Sequence, residues 1–338
     1  MRETELIVVG AGLAGTLLAR EWINRGRDCV VIDDGLRDAA SVVATGLITP
    51  VTGVRLATAP DAAGSIDEAL RVFGAIATPA GTPSIRALSL FRGYVDEEEK
   101  RLKATRAAAP GNARWFGADV TPAYVHPSLA APLGGFMIEG GARVDLPALL
   151  RAEHARLGDR RRDEPFVHAD LEILPDGTGV RYRDLAARRI VFAEGAAVTR
   201  NPWFAGPVWK PAKGEFITCD CGDFPMPGFA LKLGLSAVPL GEGHWRIGSN
   251  YDRQHLDTHP TPAIRAMLED GFRRMFRRAP DFVVTDHGAG VRPAAEGAKP
   301  VVRAHGAFPA LHVFNGFGAK GCTWAPRYAR LLADRLAD

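Results

Sequence analysis

Val8–Asp33 reads VVGAGLAGTLLAREWINRGRDCVVID, and this stretch decides the fold class. The apolar run Glu5–Val9 predicts a strand, the periodic run of about Ala14–Arg25 a helix that stops at Gly26, and Asp28–Asp33 a second strand. Gly10, Gly12 and Gly15 form GxGxxG at the junction of the first strand and the helix. Gly10 permits a tight turn, Gly12 lets a pyrophosphate approach backbone NH groups, and Gly15 allows the helix to pack close to the sheet. Asp33 ends the second strand, where a carboxylate accepts from a ribose 2'-OH and disfavours a 2'-phosphate. A Gly-rich turn without a ligand is the bland alternative. Strand, turn, helix and acidic end agree at βαβ length, and together they select dinucleotide binding.

Outward from this unit, the chain has ordinary globular composition: 338 residues, 46% hydrophobic, 24% charged, with a net charge of +3. The basic residues are scattered, with short clusters such as Arg160–Arg162, which read as solvated faces and argue against a nucleic-acid partner. Cys29, Cys219, Cys221 and Cys322 contain no CxxC pair and no zinc spacing with His, so no metal site is expected. The start of the chain lacks a signal-peptide pattern, and no apolar run reaches the roughly 20 residues a membrane span needs. A cytoplasmic protein is the expectation.

Further along, a charged helical stretch is expected around Asp96–Arg106, a helix at Leu146–Leu157 and a buried parallel strand at Arg188–Ala193. Gly214–Gly248 reads as an antiparallel meander, with strands at Glu215–Thr218, Ala230–Leu240 and Trp245–Gly248. A helix at about Ala263–Arg278 follows. Leu311–Asn315 is strand-like, Gly316–Gly321 is a Gly-rich loop, and Trp324–Leu336 is an amphipathic helix. Parallel-type elements at both ends and in the middle, with antiparallel material between them, imply two interleaved domains. The expected class is α/β. A Rossmann-like dinucleotide-binding domain with a parallel sheet covers 1–75, 138–205 and 286–338, and a mainly antiparallel β substrate domain covers 76–137 and 206–285.

The βαβ unit alone does not choose FAD over NAD, since both share the ADP half. The Gly316–Gly321 loop does, because its free NH groups and the positive helix end behind it suit the negative charge of a reduced flavin. Lys320 adds a formal charge there, or is simply a solvent-facing loop lysine.

Eight segments then occur in a telling order. They are the βαβ stretch, SVVATGLITP (Ser41–Pro50), GGARVDLPALL (Gly140–Leu150), VFAEGA (Val191–Ala196), KGE (Lys213–Glu215), IGSNY (Ile247–Tyr251), GAGVRP (Gly288–Pro293) and NGFGAKGCTWAP (Asn315–Pro326). From end to end the chain resembles the D-amino-acid oxidase and glycine oxidase superfamily. Its AEGA and KGE segments are most similar to glycine-oxidase-like members and to the oxidase half of a tRNA wobble-uridine-modifying enzyme.

The resemblance implies non-covalent FAD held by Gly10, Gly12, Leu13, Gly15, Asp33 and Asp34 at the ADP end. It places Thr45, Gly46, Leu47 and Gly195 along the ribityl chain, and Gly316, Gly318, Ala319, Lys320 and Gly321 at the isoalloxazine. Without a ligand, Ser41–Leu47 would be a surface loop with a helix start. Arg292, in GVRP, aligns with the family arginine that grips the substrate carboxylate through its planar fork. The competing reading pairs it structurally with Asp281, Asp286 or Glu296. Tyr251 would cap the substrate, or would be plain packing. Cys322 is not at a family flavin-attachment position and reads as packing. After Arg-Pro many members carry DxxPxxG, whereas this chain has AAEGAKPVV, which implies a different pocket floor.

The function so implied is oxidation of a small amine or amino acid by hydride transfer to the flavin, followed by imine hydrolysis, with dioxygen or another electron acceptor. A 2-hydroxy-acid dehydrogenase, a tRNA-modification amine oxidase and a non-catalytic flavin-binding regulatory protein are the alternatives.

Overall fold

Leu6, Ile7, Val8 and Val9 are all buried, as a strand at the centre of a sheet covered on both faces requires. The computed structural model describes residues 1–35, 39–58, 61–121, 125–175, 177–206 and 208–337. It sets Arg2–Val9 between Cys29–Asp33 and Leu185–Phe192, both parallel to it. Leu311–Asn315 joins in parallel on the far side of Leu185–Phe192. Among the described residues this sheet has eight strands, with Arg161–Asp163 at one edge and antiparallel strands Leu171–Ile173, Val180–Tyr182 and Val301–Ala304 completing it.

Three helices pack together on one face. Leu13–Asn24 and Ala62–Gly74 both contact Gly321–Ala337. The sequence reading lacked Ala62–Gly74, although Ile66, Ala69 and Phe73 recur at helical spacing and form its buried side. The last helix begins at Gly321, earlier than expected, and carries Pro326 within it.

A second sheet, also of eight described strands, runs in the order Val283–Arg292, Ala212–Asp220, His244–Gly248, Leu235–Gly241, Ala230–Leu233, Leu90–Gly93, Gly135–Ile138 and Phe116–Val120. All its pairings are antiparallel except that of Ala230–Leu233 with Leu90–Gly93. The expected single strand Ala230–Leu240 is a hairpin instead, because the chain reverses at Gly234 and Leu231 pairs back onto Ala237. Val283–Arg292 lies whole in this sheet, so a boundary at 285/286 falls inside a strand. A short sheet of Leu47–Ile48, Ala142–Val144 and Ile85–Ala87 stands apart from both.

The α/β class and its interleaving of parallel and antiparallel material are thus as the sequence implied. The charged helix is Glu97–Ala107, and Asp96 caps it by accepting from the Glu99 NH at 2.7 Å. No described helix is long and apolar enough to cross a membrane.

His312, within Leu311–Asn315, has a buried Nε2 without a partner among the described residues. Burial, with Arg189 nearby, pushes its pKa from 6.5 down to about 4. The unfolded chain therefore binds this proton first as pH falls, and stability drains away from about pH 6.5 to about pH 4. That loss amounts to about 3 kcal/mol at most. His312→Asn is expected to flatten the acid limb of a stability-against-pH curve; an unchanged slope would show that the ring titrates normally.

Candidate active site

The first Gly-rich turn is built as its residues demand. Gly10 has φ +101°, and a Cβ there would lie 2.5 Å from the Ala193 carbonyl oxygen. A Cβ on Gly15 would run into the Gly10 carbonyl oxygen, so only glycine lets this helix start so close to its strand. Gly12 is the N-cap, and among the described residues only the Ser41 hydroxyl would come within 4 Å of a Cβ there, at 3.4 Å. That hydroxyl accepts from the Leu13 NH at 3.0 Å. No acidic residue lies in the first turn of this helix.

Asp33 does more than expected. Its two oxygens accept from the NH groups of Ala11, at 2.6 Å, and Gly35, at 2.8 Å. The carboxylate therefore braces the turn itself, with its remaining lone pairs left for a ribose. Asp34 is exposed, and no described residue bonds its side chain. Asp33→Ala is expected to weaken FAD retention by about 1.5–3 kcal/mol, as for hydrogen bonds to a charged group. Flavin release measured by dilution checks this; retention equal to wild type would mean that the ribose is held elsewhere.

The other expected flavin contacts converge on the same end of the sheet. Gly46, at φ +72°, precedes Leu47–Ile48, and its carbonyl accepts from the Val144 NH at 2.9 Å. Thr45 is half-buried, with no hydrogen bond from its side chain to any described residue. The Gly195 carbonyl accepts from Asn315 Nδ2 at 2.9 Å, and Asn315 Oδ1 accepts from the Gly316 NH at 2.9 Å. Sequence reasoning passed over Asn315, which staples the two loops together. Gly318 donates to the Pro293 carbonyl at 3.1 Å, and Phe317 bridges to Ala294. A Cβ on Gly321 would lie 3.6 Å from Leu13, so the N-terminal and C-terminal Gly-rich turns meet.

Ala319 is exposed. Lys320 is half-buried, its ammonium 4.8 Å from the centre of the Trp324 ring, and it makes no ion pair among the described residues. Burial holds its pKa below the usual lysine value. Ala294 and Ala295, which follow Arg292-Pro293, lie against this loop: a Cβ on Gly318 would be 3.6 Å from Ala294 Cβ, and one on Gly316 3.2 Å from Ala295 Cβ.

Arg292 ends the strand Val283–Arg292, and the carbonyl of the next residue, Pro293, accepts from the Gly318 NH of this loop. The Arg292 Nη1 donates to the Lys213 carbonyl at 3.1 Å, and its Nη2 to the Ser249 hydroxyl and, at 3.3 Å, to the Asn250 carbonyl. All three acceptors are neutral. No carboxylate pairs with it among the described residues; Asp286 instead faces Arg246 at 3.8 Å. Burial holds the guanidinium below the ordinary arginine pKa, with Tyr251 opposing that shift. Tyr251 is 55% exposed and its ring centre lies 5.3 Å from the guanidinium carbon.

Behind Arg292 is a charged network that the sequence reading missed. Lys213 and Glu215 are 2% and 1% exposed, and their charged ends are 3.7 Å apart. Lys213 donates to Asp257 at 2.7 Å and to the His259 carbonyl at 2.6 Å. Glu215 accepts from the NH and hydroxyl of Thr261, at 2.7 and 3.1 Å, and faces His287 Nε2 at 3.1 Å. The network fastens residues 249–261, which carry Ser249, Asn250 and Tyr251, over Arg292. Lysine and glutamate within an otherwise apolar strand were the available signal.

The model for FAD dependent oxidoreductases of the DAO family matches residues 5–335. The glycine oxidase of Pseudomonas aeruginosa is 25% identical over 98% of this chain and 94% of its own length. The tRNA 5-methylaminomethyl-2-thiouridine biosynthesis bifunctional protein of Burkholderia cenocepacia is 26% identical over 98% of this chain, which spans 57% of that protein. The crystal structure of glycine oxidase from Geobacillus kaustophilus superposes with a TM-score of 0.83, covering 100% of this chain and 95% of that one at 20% identity.

The residues present fit the cofactor this family carries. The open side of Gly12, a helix with no acidic residue in its own first turn and a second Gly-rich turn beside the first leave a cradle that the described side chains do not fill. A near full-length family match and a site of that shape agree: the chain belongs to the DAO family of FAD-dependent oxidoreductases.

Proposed function

We propose that this chain oxidises a small amine or amino acid at the carbon bearing nitrogen, with Arg292 holding the substrate carboxylate and Tyr251 covering it. The observation that carries the reading is the Arg292 guanidinium, half-buried, bonded among the described residues only to neutral oxygens, one residue before the Pro293 carbonyl that accepts from Gly318 of the C-terminal Gly-rich loop. A fixed cation without an anion is an incomplete pair, and a substrate carboxylate completes it with two parallel hydrogen bonds. FAD, when bound, supplies the two-electron acceptor that takes hydride from that carbon and passes electrons to dioxygen or another acceptor, leaving an imine that water hydrolyses. The chain's part is to bind and orient. A neutral amine needs no protein base for this oxidation. The glycine oxidase relatives support a substrate of this class. Four free, buried cysteines support a reducing, cytoplasmic setting.

The decisive measurement is loss of flavin colour under nitrogen with glycine, sarcosine, D-amino acids and 2-hydroxy acids. Bleaching by an amine is expected. Bleaching by a 2-hydroxy acid alone would replace this reading with the hydroxy-acid dehydrogenase, and bleaching by none would leave a flavin-binding protein.

The protein is also expected to purify yellow and to release its flavin on denaturation. The Cys322 thiol is buried, its pKa pushed up to about 12, so it is neutral and unfit as an attachment nucleophile. Flavin remaining with the precipitated chain would overturn the non-covalent assignment.

A further inference from the structure

Away from the Gly-rich turns, a cavity of about 450 Å³ opens between the turn at residues 78–86 and the start of the helix Leu146–Leu157. Neither Arg292 nor any residue of the two Gly-rich turns lines it. Its walls carry three arginines, Arg86, Arg143 and Arg151, against one carboxylate, Asp145. Asp145 is engaged as a helix cap, accepting from the Ala148 NH at 3.1 Å. None of the three arginines makes an ion pair among the described residues.

The arrangement works against itself as it stands. Arg143 and Arg86 are register partners across two antiparallel strands, where like charges repel, and the Arg86 Nη2 donates to the Pro239 carbonyl. The Arg143 Nε is buried with no partner among the described residues, and burial holds its guanidinium below the ordinary value, Asp145 opposing that fall and Arg86 and Arg246 adding to it. An unpaired, partly desolvated cation facing a second cation is costly unless an anion completes the group. The helix whose first turn borders the cavity adds its positive end.

We propose that this cavity binds a small oxyanion carrying two or more negative charges, the chemistry shared by phosphate groups and di- or tricarboxylates. Arg143 and Arg86 would grip it from the short sheet and Arg151 from the helix. The site abuts the flavin side of the molecule: Arg143 pairs in register with Leu47, which closes the loop Ser41–Leu47.

Calorimetric titration of the FAD-loaded enzyme with inorganic phosphate, and separately with citrate, at constant ionic strength tests this. Loading with FAD keeps the pyrophosphate cradle out of the readout. Saturable binding of one anion per chain is expected. Arg143→Gln and Arg151→Gln should each weaken it at least about tenfold, as for loss of a charge-assisted hydrogen bond, while Arg292→Leu binds as wild type. Tighter binding of phosphate or of citrate identifies which oxyanion the cavity suits. Absence of saturable binding overturns the proposal. So does binding that survives in both glutamine variants, or that disappears in Arg292→Leu, which would place the anion at the substrate arginine. Arg151 is exposed, so its variant carries the test even if Arg143→Gln fails to fold.

Discussion

Arg292→Leu is expected to keep its flavin and its melting temperature while its affinity for an amino-acid substrate falls at least about thirtyfold. Removing one partner of a desolvated charge pair costs about 2–5 kcal/mol, and the lower bound is already that factor. The structure separates this outcome from its rival. Were Arg292 paired with Asp281, Asp286 or Glu296, its loss would strand a buried carboxylate and destabilise the fold. No such pair exists among the described residues, and the acceptors left behind are two backbone carbonyls and a hydroxyl. Anaerobic flavin reduction titrated with substrate, and thermal unfolding of the same variant, are the two measurements. A lowered melting temperature with a normal titration would make Arg292 a structural residue and place the carboxylate elsewhere.

Lys213→Met is expected to destabilise the protein by about 3–5 kcal/mol, because it leaves Glu215 charged and almost fully buried beside one partner fewer. The loop at 249–261 loses two anchors, Asp257 and the His259 carbonyl. Substrate affinity should therefore fall as well, while the flavin, held by other elements, stays bound. Lys213→Met combined with Glu215→Gln removes the stranded charge and should recover much of the stability but not the affinity. Denaturant unfolding of both variants, with the same anaerobic titration, checks this. A single variant as stable as wild type would mean that Lys213 is not neutralising anything.

What the sequence disclosed and what it withheld divide along physical lines. Gly10 and Gly15 were legible because backbone geometry admits no other residue there, and that demand is local to a short stretch of chain. The GVRP setting marks Arg292 out in the sequence, whereas the absence of an ion pair to it among the described residues depends on how distant segments meet. Asp33 was placed correctly at its strand end, but its hold on the Ala11 NH depends on how the turn folds back. The Lys213–Glu215 network stayed hidden because its members come from three stretches of chain, joined only when Ala212–Asp220 lies beside Val283–Arg292. The hairpin within Ala230–Gly241 was misread as one strand because a lone glycine in an apolar run does not announce whether it bends the strand or reverses it.

The meeting of the two Gly-rich turns has a consequence in time as well as in space. Arg25 on the first helix pairs with Asp334 on the last at 2.7 Å, across 309 positions of sequence. On a ribosome, the ADP end of the cofactor cradle emerges long before the loop that faces it. Until Gly321–Ala337 has been made, the first helix lacks its neighbour and the growing chain can offer FAD only part of its cradle, so cofactor capture waits for that helix.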